Sequence, residues 1–233
     1  MSNESGEKEE WNQLDHQLKK GWYVMKMDGH KFSAFRLPNI ELPSFYVYYE
    51  KLTSVVREVF HKFKFFQACY ILDDEFHFLF HTNDVEKNLC RVSKVVVLPA
   101  SYVTARVNDL INESDIESRK PINTGKICYD GRLIKLSIKE IIPYFDDLIN
   151  HGKMVIGNIT VGDGKYFVQM TMEEILNKAK ELRTDITNQH SVVFGRLIDR
   201  YGEEIVMNNL DFESHKKKVL SKIKSYRPIK KQT

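Results

Sequence analysis

Two short acidic runs in this sequence have residue types and settings that could do chemistry. Asp28-Gly29 closes the apolar run WYVMKM at residues 22–27, and Asp73-Asp74-Glu75 precedes FHFLF at residues 76–80. Carboxylates carried on rigid strand ends can hold divalent cations. Two such cations can bridge a triphosphate, activate a hydroxyl and stabilise a leaving pyrophosphate. Asp-Gly and Asp-Asp-Glu are also ordinary turn sequences, and acids at strand ends are usually just solvated, so the residues alone leave both readings open. Asp28 and Asp74 lie 46 positions apart, and only the fold can bring them together.

Other reactive residue types have simpler readings. His77 and His81 flank Leu79 on one strand face, but no third ligand accompanies them, and packing is the expected role. Asp130 and Arg132 suit a structural ion pair as well as a substrate contact. Cys69, Cys90 and Cys128 are widely spaced, form no C-x-x-C and leave an odd thiol, which suits a reducing compartment and core positions. No Walker A, G-x-S-x-G or G-x-G-x-x-G pattern occurs.

The elements that must position the acids follow from hydrophobic periodicity. WYVMKM reads as a buried strand ending at Asp28-Gly29, and in the loop that follows Pro38 and Pro43 prevent a continuous helix. Ser44 is placed to cap a long amphipathic helix, with Tyr48, Leu52, Val55, Val56, Val59, Phe60 and Phe63 at three- and four-residue steps. FFQACYIL (65–72) and FHFLFH (76–81) read as a hairpin around DDE. A second helix is expected from about Val85 to about Ile111 with a kink at Pro99, and residues 125–137 read as strand or hairpin material. This order, β-α-β-β-α-β, is the ferredoxin-like arrangement. Its first and third strands are antiparallel neighbours, so the end of one lies beside the start of the other, and Asp28 meets Asp73, Asp74 and Glu75 there.

The expected fold class is therefore α+β, an antiparallel sheet with helices on one face, followed by a mainly helical C-terminal extension. The extension is read as helices at 138–149, from Thr171, and at 188–200, 202–210 and 214–226, with a short hairpin around Asp163-Gly164 in 156–169. The expected divisions are a mobile lead (1–10), a catalytic domain (11–140), the extension (141–213) and a basic tail (214–233).

Composition bounds the rest. A chain of 233 residues with 42% hydrophobic content can bury a proper core, and 11 Gly, 6 Pro and 3 Cys exclude low-complexity and disulfide-framework classes. The start MSNESGEKEE has no signal-peptide character and no apolar run approaches membrane length, so a cytoplasmic protein with no membrane partner is expected. The net charge of +3 hides a division. Residues 214–233 carry eight basic side chains and no acid, leaving 27 basic against 32 acidic residues elsewhere. Lys216, Lys217, Lys218 and their neighbours could neutralise nucleic-acid phosphates, or form a solvated terminus.

MKMDGHKFSAF (25–35) resembles the R-x-D-G-x-x-F-x-x-F signature of the tRNA(His) guanylyltransferases and related 3′-to-5′ polymerases, and LDDEFHFLF (72–80) resembles their S-D-E-x-S-F-x-F signature. RVSKVVVLPASYVTA (91–105) and CYDGR (128–132) resemble two further family segments in the same order. The resemblance covers residues 22–137 and implies a polymerase-like palm that uses two Mg²⁺ ions, with GTP and ATP as substrates. It implies Asp28 and Asp74 as ligands of both metals, the carbonyl of Gly29 as a further ligand, and Glu75 as their assistant. Asp28, Gly29, His30, Lys31, Phe32, Ser33, Asp73 and Asp74 would hold the nucleotide, and Arg91 and Lys94 would meet phosphates. Lys26 replaces the family Arg before the Asp.

The departures concern specificity. Leu42-Pro43-Ser44-Phe45 stands where the family has K-P-N-D, Asp73 replaces a Ser, YFDDLINHG (144–152) replaces a W-R-Q-x-D segment, and no H-I-N-N motif is evident. The expectation is a nucleotidyltransferase that adds a nucleotide, GMP in the family, to the 5′ end of tRNA or tRNA-like RNA, as a homotetramer. Alternatives are a catalytically weak palm that binds nucleotide or RNA, and a nucleotide-cyclase-like enzyme.

Overall fold

The computed structural model describes residues 16–30, 42–72, 74–112, 127–160, 195–205 and 212–228. The acidic lead, Lys31, Phe32, Ser33, Asp73, the Asp163-Gly164 turn and the helix expected from Thr171 lie outside the described residues. Within them the chain runs β1 (Trp22–His30), α1 (Leu42–Lys62), β2 (Phe66–Leu72), β3 (Glu75–His81), α2 (Val92–Asn112), β4 (Cys128–Leu136), α3 (Ile141–Thr160), β5 (Arg196–Asp199), β6 (Glu204–Ile205) and α4 (Phe212–Ser225). The six strands form one sheet in the order β4-β1-β3-β2-β5-β6, with all pairs antiparallel. Its first four strands have the expected ferredoxin-like order.

Alternation along each strand divides the core into two layers. Tyr23, Met25 and Met27 of β1 and Phe76, Phe78 and Phe80 of β3 face α1 and α2, where Leu52, Val55, Val56, Val59, Val103 and Val107 are buried. Trp22, Val24 and Leu79 face the other way, against Phe145 and Ile149 of α3 and Val219 and Ile223 of α4. The palm's own helices thus occupy one face, as expected, and the C-terminal helices cover part of the other. A register shift between Phe66 and Ala68 makes β2 change sides, so that Phe66 packs with the first layer and Ala68 and Tyr70 with the second.

Several expectations are corrected. Residues 82–91 do not begin a helix: they form two short 3₁₀ turns, Thr82–Asp84 and Lys87–Leu89, the first capped by His81 Nδ1, which accepts from Asn83 N–H. α2 then starts at Val92 and runs through Pro99. Residues 156–160 are helical rather than part of a hairpin. Helices expected at 188–200 and 202–210 give way, where described, to the hairpin β5–β6. Leu197 and Ile198 are buried on opposite sheet faces, and edge pairing with Ala68–Ile71 satisfies their backbone as well as their side chains. Gly195 makes this strand possible. It has φ +74°, and a Cβ there would lie 2.6 Å from the Ile71 carbonyl oxygen. The helix expected at 214–226 is present as α4, docked through buried His215, Val219 and Ile223.

Candidate active site

Three strands present one alternating pattern, an acid and a nitrogen side chain two residues apart, at one end of the sheet: Lys26-x-Asp28 on β1, Glu75-x-His77 on β3 and Asp130-x-Arg132 on β4. The register pairs Asp28 with Asp130 and Lys26 with both Arg132 and His77, and the next β1–β3 position sets Asp28 opposite Glu75. Because paired residues share a face, the result is a row of three acids, Asp130, Asp28 and Glu75, beside a row of three nitrogen side chains, Arg132, Lys26 and His77. Both rows lie on the face that α3 and α4 partly cover. Asp74 is half-buried in the turn that begins β3, next to Glu75. Gly29 is buried opposite Tyr129, and His30 ends β1 exposed, opposite Cys128.

The side chains are closely linked. Lys26 Nζ donates to Glu75 Oε1 at 2.6 Å and lies 3.7 Å from Asp28 Oδ2. His77, 2% exposed, has Nε2 3.0 Å from Glu75 Oε2 and Nδ1 2.8 Å from the hydroxyl of Tyr144 on α3. Arg132 Nη2 donates to Asp130 Oδ2 at 3.1 Å. Burial works to raise the Glu75 carboxyl pKa, but hydrogen bonds from His77 and Lys26 outweigh it and push it down to about 2. Burial also lowers the His77 pKa, against the pull of Glu75, so the ring is neutral near pH 7. Burial and the Glu75 charge raise the Tyr144 hydroxyl.

A neutral imidazole has one donor and one acceptor. Ionised Glu75 only accepts, so His77 Nε2–H donates to it, and Tyr144 O–H donates to His77 Nδ1.

The remaining expected residues divide. Arg91 and Lys94 stand where α2 begins, beside the chain that leads into β1: Gln17 bridges to Arg91, and Leu18 N–H donates to the Cys90 carbonyl. Asp28 is at the far end of β1, about 20 Å away at 3.3 Å per strand residue. The structure does not bring these two cations to the carboxylates, and Lys94 Nζ donates to the Asn88 carbonyl. Lys216 ties α4 to α3 through Asp146 at 2.7 Å and Asn150 at 3.2 Å, whereas Lys217 and Lys218 are exposed. Sequence reasoning missed Tyr144 as a partner of the site and read His77 as packing. The readable signal was that Glu75 and His77, two apart on a strand, share a face.

The donor chemistry suits a hard cation. An ammonium already stands between Asp28 and Glu75, so the carboxylates are arranged to share a positive charge. Among the described residues no group of three His, Cys, Asp or Glu could by itself hold a metal ion. Two carboxylates and one backbone carbonyl suit Mg²⁺, which keeps several waters and takes oxygens from substrate phosphates.

An antiparallel palm sheet with acids converging at the end of β1 and the start of β3 is the layout of a nucleotidyl-transfer palm. The profile of the family described as tRNAHis guanylyltransferase matches residues 7–137, more than half of the chain, and the protein belongs to that family of nucleotidyltransferases. Solved structures agree in fold. A bacterial tRNA(His) guanylyltransferase (Thg1)-like protein in complex with ATP superposes with TM-score 0.69 at 15% identity, covering 94% of this chain and 98% of that one. The bacterial Thg1-like protein in complex with GTP gives 0.66 at 13% identity over 94% and 97%. The tRNA(His) guanylyltransferase from Saccharomyces cerevisiae gives 0.64 at 19% identity over 88% and 96%. No curated protein matches the sequence. Among the described residues no helix is long and apolar enough to cross a membrane.

Proposed function

We propose that this protein adds a nucleotide, GMP from GTP, to the 5′ end of tRNA or tRNA-like RNA in the 3′-to-5′ direction. The observation that carries the reading is the convergence of Asp28 and Glu75, with Asp74 beside them, at one sheet end of a family palm. The similar bacterial structures with ATP and GTP support nucleoside triphosphates as substrates, ATP serving to activate the RNA 5′ end.

Asp28, Asp74 and the Gly29 carbonyl would hold two Mg²⁺ ions. When bound, these lower the pKa of the attacking 3′-hydroxyl and neutralise triphosphate charge. Glu75 stays anionic under its two hydrogen bonds and fixes Lys26. Lys26 supplies a positive charge beside the acids, where a triphosphate would otherwise be repelled. Gly29, His30, Lys31, Phe32, Ser33, Asp73 and Asp74 would form the nucleotide-binding stretch. Arg91 and Lys94, one β1 length from the acids, would contact RNA phosphates away from the reacting end, and Lys217 and Lys218 would do so on α4. Residues 11–140 would act as the catalytic unit, within a cytoplasmic homotetramer whose assembly light scattering tests.

The function is tested by incubating the protein with Mg²⁺, ATP, α-labelled GTP and tRNA bearing a 5′-monophosphate or 5′-triphosphate, and resolving the products. Label at the RNA 5′ end supports the reading. Cyclic nucleotide, or RNA binding without transfer, contradicts it.

A further inference from the structure

Five side chains form one continuous polar chain from helix α3 to the acidic end of β1. Tyr144 reaches His77 at 2.8 Å, His77 reaches Glu75 Oε2 at 3.0 Å, Glu75 Oε1 accepts from Lys26 at 2.6 Å, and Lys26 lies 3.7 Å from Asp28. With the buried imidazole neutral, no link can reverse: the Lys26 ammonium has only donors and the carboxylates only acceptors, so His77 presents its proton at Nε2 and its lone pair at Nδ1, which leaves Tyr144 as the donor at the far end. His77 is 2% exposed and Lys26 and Glu75 about one-quarter, so water competes poorly for the inner links.

We propose that Tyr144 and His77 are positioning residues that hold Glu75, and through it Lys26, against Asp28, an inference that rests on the function proposed above. Neither would touch substrate. Their role is to select one orientation of the Glu75 carboxylate. With Oε2 fixed by His77, Oε1 is aimed at Lys26, and the ammonium is held beside Asp28 instead of swinging on its four-carbon stem into solvent. The anchor lies on α3, outside the family match at residues 7–137, so the C-terminal extension would set the geometry of the palm's acids.

The first test is ¹⁵N NMR of the labelled full-length protein at pH 7.5. The expected result is a neutral His77 ring with its proton on Nε2 and a bare Nδ1. A proton on Nδ1, or on both nitrogens, overturns the relay whatever the kinetics show.

The second test is steady-state transfer of GMP to tRNA. His77→Met should lower kcat about 10–100-fold with KM for GTP within about twofold. His77→Gln, whose amide can donate to Glu75 and accept from Tyr144, should recover most of that loss. Tyr144→Phe deletes one oxygen and keeps the ring, and should lower kcat about three- to tenfold. Wild-type kcat in both His77→Met and Tyr144→Phe, while Asp28→Asn abolishes transfer, overturns the relay alone. Wild-type transfer by Asp28→Asn overturns the functional reading instead.

Discussion

Asp28 on β1 sits directly opposite Asp130 on β4, two carboxylates in one rung of an antiparallel ladder and on the same face of the sheet. Like charges in this position are destabilising, by about 0.2–1 kcal/mol. The neighbouring rung offsets the repulsion, because Arg132 pairs with Asp130 at 3.1 Å and Lys26 lies 3.7 Å from Asp28. On the proposed function, Mg²⁺ held by Asp28 would relieve what remains of that repulsion.

Mg²⁺ should therefore raise the melting temperature. At a cation concentration 100 times Kd the gain is about 2.7 kcal/mol, or about 5–10 °C for a chain of this size. Differential scanning fluorimetry with and without Mg²⁺ measures it, and Asp28→Asn should lose most of the shift.

Stability should fall in two steps on acidification. The folded pKa of His77 lies below its usual 6.5, so its contribution is complete above pH 6.5 and declines as the pH falls below that value, where the unfolded ring takes up a proton first. Glu75 is held at about 2 against a usual 4.5, so its contribution is complete above pH 4.5 and is lost as the pH falls towards 2. With the side chain one-quarter exposed, the Glu75 step should be about 1–2 kcal/mol after solvent screening. Urea unfolding against pH measures both steps, with Glu75→Gln removing the lower and His77→Gln the upper.

The tail lysines should separate into two kinds. Lys217→Ala with Lys218→Ala should weaken tRNA binding and flatten log Kd against log salt by about one to two, with no change in melting temperature. Lys216→Ala should instead lower the melting temperature, because it leaves Asp146 and Asn150 without the cation that joins α3 to α4. Salt-dependent filter binding and thermal unfolding, run on both variants, measure the difference.

The β5–β6 hairpin should depend on Gly195. Its φ of +74° and the 2.6 Å approach of a built Cβ to the Ile71 carbonyl mean that Gly195→Ala must displace β5 from β2, at a cost of about 1–3 kcal/mol. Equilibrium unfolding measures this, and Gly202→Ala is the comparison: it shares the strain of φ +84° but meets no atom within 4 Å, so it should cost less.

The part of this fold visible in the sequence was the part built from long periodic runs. WYVMKM, the three- and four-residue apolar steps of α1 and the FHFLFH alternation mark β1, α1 and the β2–β3 hairpin, and that order places Asp28 beside Glu75. The hairpin at 196–205 was not visible, because four residues, RLID, are too few to distinguish a strand period from a helical one. The clue was instead a glycine whose need for positive φ arises only from its approach to Ile71. The His77–Tyr144 link was hidden for a different reason. Strand alternation puts His77 on the Glu75 face, but which helix residue reaches it depends on how α3 crosses the sheet, and no local pattern encodes that. Lys216 differs from Lys217 for the same reason, since its role is set by Asp146 on another helix.

On the proposed function, the carboxylates at the end of β1 and the start of β3 form a centre that transfers a nucleotide to an RNA 5′ end. The most direct measurement is transfer of α-labelled GMP to 5′-monophosphorylated tRNA in the presence of ATP and Mg²⁺, comparing the wild-type protein with Asp28→Asn. Label should appear at the RNA 5′ end with the wild type, vanish when Mg²⁺ is chelated, and be absent with Asp28→Asn. Transfer that persists in Asp28→Asn, or tRNA bound by the wild type without label, would contradict this function.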